Sequence, residues 1–171
     1  MMLRRIDKQQ PSEFKFSKKN LSWAKKQIAK YPQDRQRSAV IPLLYRAQEQ
    51  EGWVSKPAIE EIAKMLKMAP IRVYEVASFY FMFHLSPVGD KAHIQVCGTT
   101  PCMLRGSEKL VEICKKRISK KQKELSSDGK LSWEEVECIG ACSNSPVVQV
   151  GSDYYEDLSE ESFVNLLDKL I

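Results

Sequence analysis

The sequence predicts an α+β protein, a bundle of short helices followed by a small α/β domain. Two observations carry this. Apolar residues recur every three or four positions from Asn20 to roughly Leu85, the period of helices buried on one face, and after "SPVGD" the period drops to two. With 171 residues, 43% of them hydrophobic, the chain can build a core in each part.

In "LSWAKKQIAKY", Trp23, Ala24, Gln27, Ile28 and Tyr31 share a helical spacing, and Pro32 either ends it or opens the next segment. Ala39, Val40, Leu43, Leu44 and Ala47 line the next face up to Gly52, with a kink expected at Pro42, which lacks a backbone donor. "KPAIEEIAKMLKM" places Pro57 in a first turn and Ile59, Ile62, Ala63 and Leu66 on one side. "APIRVYEVASFYFMF" continues with Val73, Val76, Ala77 and Tyr80. The short connections make these helices antiparallel neighbours.

In the second part, "KAHIQVC" alternates Ala92, Ile94 and Val96 as a strand ending at Cys97. "MLRGSEKLVEICKKRI" returns to helical spacing through Leu104, Leu110, Val111, Cys114 and Ile118. After the turn "SSDGK", "LSWEEVEC" alternates into Cys138, "PVVQV" is a short strand, "GSDYY" turns, and "SEESFVNLLDKLI" is a final helix with Ser159 or Ser162 near its start. The expected organisation is a disordered or extended, solvated arm over 1–19, a helical bundle over 20–88 and an α/β domain over 89–171.

No run approaches the roughly 18 apolar residues of a spanning helix. The N-terminal stretch has no apolar core and carries Asp7 and Glu13, unlike a secretory signal or transit peptide, so the expectation is a cytoplasmic chain. Five cysteines in such a compartment argue for metal or redox chemistry over a disulfide framework. The net charge of +5 gathers in "KKRISKKQK", which lacks the interleaved aromatic residues of a nucleic-acid site and reads as a solvated helix end before a docking patch.

Cys97 and Cys102 form a C-x4-C pair, and Cys138 and Cys142 a C-x3-C pair. Parallel packing of the strands ending near Cys97 and Cys138 brings both pairs to one sheet edge. Zinc takes four thiolates but usually in tighter C-x2-C knuckles, and two disulfides need an oxidising compartment. A [2Fe-2S] cluster takes two thiolates on each iron, leaves no open position for substrate and accepts wider loops. Its charge, about −2 oxidised and about −3 reduced, calls for backbone donors. Those expected are the amides of Gly98, Thr99, Thr100, Gly140 and Ala141 and the helix start near Met103 and Leu104, with Arg105 and Lys109 adding positive charge. Cys114, among Leu110, Val111 and Ile118, reads as a buried apolar residue, and His84 and His93 as ordinary packing or surface residues.

"VCGTTPCMLRGSEKL", "VECIGACSNSPVVQV" and "YYEDLS", with the helical "YPQDRQRSAVIPLLYRAQEQEGWVS" and "VYEVASFYFMF", resemble the thioredoxin-like [2Fe-2S] subunit of NADH-quinone oxidoreductase, respiratory complex I. The resemblance covers roughly residues 20–171, and its wording is nearest the α-proteobacterial and mitochondrial branch. It implies a thioredoxin-like second domain and a [2Fe-2S] cluster on Cys97, Cys102, Cys138 and Cys142. It also implies docking beside the flavin subunit that binds FMN and NADH in the peripheral arm. Ile139 and Ser145 stand where the family usually has Leu and Ala. The chain has no G-x-G-x-x-G, in keeping with nucleotide binding by the partner. NAD-linked hydrogenases and formate dehydrogenases use the same module, and a zinc-stabilised docking module is a further alternative. The C-x-x-C of thiol-disulfide oxidoreductases is absent.

Overall fold

The computed structural model describes residues 4–171, which divide into two compact units, one ending at Pro87 and the other spanning Val88–Ile171. The first unit holds helices α1 (Lys18–Ile28), α2 (Val40–Glu51), α3 (Lys56–Leu66) and α4 (Pro70–Phe79). Local chemistry sets their ends. Ser17 Oγ caps α1 by accepting from Asn20 N–H at 3.3 Å, and Ser55 Oγ caps α3 through Ala58 N–H, also at 3.3 Å. Gly52 ends α2 at φ 79°, a left-handed turn that glycine enters without a steric penalty. Leu43, Leu44, Ala47, Ile62, Val73, Ala77 and Phe83 are fully buried, each large aliphatic or aromatic side chain contributing about 1.5–3 kcal/mol.

Two expectations for this unit change. A short 3-10 turn, Gln36–Ala39, precedes α2, so Pro42 falls in the helix's first turn, where its missing donor has no intrahelical acceptor to lose. No kink is required there. Residues 4–17 form no helix or strand, yet they are not solvated throughout: Phe14 and Phe16 pack edge to face and join the core, and Asp7 N–H donates to Leu85 O at 2.8 Å. Isolated aromatic residues on an irregular segment give no periodic signal. Residues 1–3 of the expected arm lie outside the described residues.

The second unit is a four-stranded sheet in the order β2-β1-β3-β4, with β1 Ala92–Cys97, β2 Leu131–Val136, β3 Val148–Val150 and β4 Asp153–Tyr155. β1 and β2 run parallel, in register from Ala92↔Leu131 to Cys97↔Val136, while β3 is antiparallel to both β1 and β4. Helices α5 (Thr100–Leu104), α6 (Ser107–Arg117) and α7 (Glu160–Leu170) complete it. The apolar face of the strands, Ala92, Ile94, Val96, Leu131, Trp133 and Val148, shares one core with Leu110, Cys114, Phe163 and Leu167. Trp133 is fully buried, and its Nε1 donates to Ser119 O at 2.8 Å. Ser159 and Ser162 cap α7 reciprocally.

The continuous helix expected through Leu104 is instead broken at Gly106, whose φ of 97° separates α5 from α6 and leaves Leu104 78% exposed. The basic run is largely paired: Lys115 with Glu112, Arg117 with Asp168, Lys121 with Glu124 and Lys123 with Glu134. That is the behaviour of a solvated helix end.

The opposite face of β1 and β2 carries a buried polar row. His93 Nε2 lies 3.1 Å from Glu134 Oε1, Gln95 Nε2 donates to the same oxygen at 3.0 Å, and His93 Nδ1 lies 2.7 Å from Ser132 Oγ. Burial works against ionisation of Glu134. The bond from His93, electrostatic attraction to His93 and Lys123, and the bond from Gln95 outweigh it and hold the carboxyl down at about 2. An ionised carboxylate only accepts, so Nε2 of His93 carries a proton. His93 is more than a packing residue.

Candidate metal centre

Because β1 and β2 are parallel and in register, the loops that follow them leave from the same end of the sheet. Cys97 is the last residue of β1, Cys102 lies in α5, Cys138 follows β2, and Cys142 opens a short 3-10 turn, Cys142–Asn144. The backbone reverses between the second pair at Gly140, whose φ of 94° would strain any residue with a Cβ. At the first pair, a Cβ on Gly98 would collide with the side chain of Glu135.

The four thiols converge. Cys138 Sγ and Cys142 Sγ are 3.3 Å apart, Cys97 and Cys102 are buried in one cluster and act on each other's ionisation, and Cys142 is near enough to both for their charges to interact. Their settings differ. Cys97 and Cys102 are 2% and 1% exposed, packed with Val147, Ile139 and Ala141, whereas Cys138 and Cys142 face outward. Cys114, the fifth cysteine, lies in the sheet core, where burial pushes its thiol up to about 12. It behaves as the small apolar residue expected.

The site's electrostatics is that of thiols that cannot all ionise unaided. Burial, then the bond with Cys97, pushes Cys102 up to about 11, and the bond with Cys138 raises Cys142. Burial also works to raise Cys97. Hydrogen bonding from the Thr99 backbone, the Cys102 thiol and the Ile139 backbone, with the Thr99 hydroxyl nearby, outweighs it and leaves Cys97 below the ordinary thiol range. Bound iron would remove this conflict, since a cation at the site deprotonates the sulfurs outright. The donor set therefore fits an iron-sulfur cluster: four soft ligands, two on a dry inner side, with backbone donors already aimed at sulfur.

Those donors are only partly the ones the sequence suggested. Thr99 serves, but the Gly98 amide is taken by Val136 O at 3.0 Å and that of Met103 by Thr99 O at 3.0 Å. Ile139 and Val147 supply backbone bonds to Cys97 and Cys102 instead. Each comes from the second cysteine loop to a sulfur of the first, so the register of β1 between β2 and β3 creates them and no local motif announces them. Arg105 and Lys109 point their charge at Asp157, 3.7 Å away, and Glu160, 2.9 Å away, so backbone dipoles carry the burden of holding negative charge.

The family model of the thioredoxin-like [2Fe-2S] ferredoxin matches residues 24–171. The chain belongs to that family. Membership brings the cofactor of the family's name, a [2Fe-2S] cluster, to a site whose thiols fit it. Among curated relatives, an E-type subunit of the NADH-quinone oxidoreductase of Rhizobium meliloti (strain 1021) is 57% identical over 171 residues, which are 99% of this chain and 62% of that protein. The chain thus spans less than two thirds of that relative's length. The E-type subunit of the NADH-quinone oxidoreductase of Rickettsia bellii (strain RML369-C) is 54% identical over 160 residues, 93% of this chain and 95% of that protein. Within the [2Fe-2S] family, this chain groups with these E-type chains. A solved NAD+-reducing [NiFe]-hydrogenase superposes on 77% of the chain, covering 22% of its own, with a TM-score of 0.67 at 15% identity, a likeness of fold. No helix among the described residues is long and apolar enough to cross a membrane.

Proposed function

We propose that Cys97, Cys102, Cys138 and Cys142 ligate the [2Fe-2S] cluster and that the chain carries electrons as the E-type subunit of an NADH-quinone oxidoreductase. The observation that carries the assignment is the meeting of two thiol pairs at one end of a parallel strand pair, the outer sulfurs 3.3 Å apart and the inner cysteines buried together. The cluster supplies one-electron oxidation and reduction without a free coordination position for substrate. The protein's own groups do the rest. Thr99, Ile139 and Val147 hold negative charge through backbone bonds to the inner sulfurs, and Val147 with the partly buried Ile139 and Ala141 keeps water from that side.

The partner in this reading is the flavin subunit that binds NADH and FMN. The chain's lack of a glycine-rich nucleotide loop and the names of its relatives support it. The chain would lie in the peripheral arm, on the cytoplasmic side in a bacterium. The test is anaerobic purification of Cys97→Ser, Cys142→Ser and Cys114→Ser with iron analysis and EPR after dithionite reduction. The first two lose the [2Fe-2S] signal and Cys114→Ser keeps it. Full iron in Cys142→Ser, or zinc as the bound metal in wild-type protein, overturns the assignment.

A further inference from the structure

Thr99 is the N-cap residue of α5, with the extended φ of −76° and ψ of 157° usual for that position. A threonine there ordinarily turns its hydroxyl onto an amide of the first helical turn. Thr99 does not: its carbonyl accepts from Met103 N–H, but its side chain makes no capping bond. Its Oγ1 is buried all the same and has no hydrogen-bond partner of ordinary geometry among the described residues. A buried hydroxyl without an acceptor is costly, so its orientation needs a cause. The hydroxyl lies on the side of Cys97, on whose sulfur it acts together with the Thr99 backbone.

We propose that the Thr99 hydroxyl donates a hydrogen bond to Cys97 Sγ when that sulfur ligates iron, which makes Thr99 a positioning residue that sets the reduction potential; this rests on the ligand assignment above. A metal-bound thiolate only accepts, so it completes the one hydrogen bond that the hydroxyl lacks. A donor to ligand sulfur withdraws electron density and favours the reduced state. The effect concentrates on the inner pair. Cys97 is 2% exposed, so no water replaces a lost donor there, whereas the outward-facing Cys138 and Cys142 can be hydrogen-bonded by solvent.

The experiment compares wild-type full-length protein with Thr99→Val, which keeps the shape, Thr99→Ala as a second hydroxyl-free variant, and Thr99→Ser, which keeps the hydroxyl. Redox titration followed by EPR reads the potential. Pulsed EPR after brief transfer to deuterium oxide reads rapidly exchanging deuterons near the cluster. In Thr99→Val and Thr99→Ala the ratio of reduced to oxidised protein at the wild-type midpoint falls by up to about tenfold, equivalent to about 59 mV for one electron. A deuteron coupling present in wild type and Thr99→Ser disappears. Unchanged potentials with an intact [2Fe-2S] signal overturn the role of Thr99 and leave the ligands standing, whereas a wild-type chain without that signal overturns both. Should Thr99→Val fail to hold iron, Thr99→Ala and the wild-type deuteron coupling decide, and a missing coupling refutes the proposal.

Discussion

Glu134 offers a test in which the sign, size and pH window all come from the geometry. Its side chain is 8% exposed, and its oxygens are engaged by His93 at 3.1 Å, Gln95 at 3.0 Å and Lys123 at 3.1 Å. These contacts hold the carboxyl at about 2 against an ordinary 4.5. At about 1.4 kcal/mol per pH unit, the ionised group contributes about 3 kcal/mol to folding. Because the folded value is depressed, that contribution is fully present above about pH 4.5 and is lost as pH falls towards 2. The perturbation is Glu134→Gln, which keeps the shape and removes the charge. Urea unfolding is followed by Trp133 fluorescence, with Trp23 and Trp53 replaced by Phe so that only the second unit reports. Wild type exceeds the variant by about 3 kcal/mol at pH 7, and the gap closes below pH 4.5. Acid loss of iron is common to both chains and cancels in the difference. No gap at pH 7, or one that stays constant down to pH 3, would refute the reasoning.

Two further outcomes follow from the core and the backbone. Cys114→Ser places a hydroxyl among Leu110, Val111 and Ile118, and it destabilises the second unit by about 1–3 kcal/mol while iron content stays at the wild-type level; melting and metal analysis read the two effects separately. Gly89→Ala and Gly98→Ala differ in kind. A Cβ on Gly89 would stand 2.5 Å from the backbone of Leu131, which is held in β2, so the variant loses more than about 2 kcal/mol. The atoms nearest a Cβ on Gly98 all belong to the flexible Glu135 side chain, so Glu135→Ala restores most of the stability that Gly98→Ala removes, as denaturation of the double variant shows.

The helical and strand periods, the cap near Ser159 and the four clustered cysteines were legible in the chain alone, because each is a pattern within a few residues, whereas the caps at Ser17 and Ser55 emerged only with the structure. The sequence even indicated the parallel pairing that brings the two cysteine loops together, since strands that end at cysteines in one sheet have few other ways to meet. Local patterns stopped short at Leu104, where helical spacing continues across a glycine at which the backbone breaks, and at Pro42, whose effect depends on where the helix starts. Tertiary structure alone decided which donors reach sulfur, because Ile139 and Val147 address cysteines about forty residues away. It likewise decided that Phe14 and Phe16 are core residues and that Glu134 is a buried anion on a polar sheet face. Hydrogen bonds and burial are properties of partners, and partners distant in sequence are set by strand register and packing, which no local period encodes.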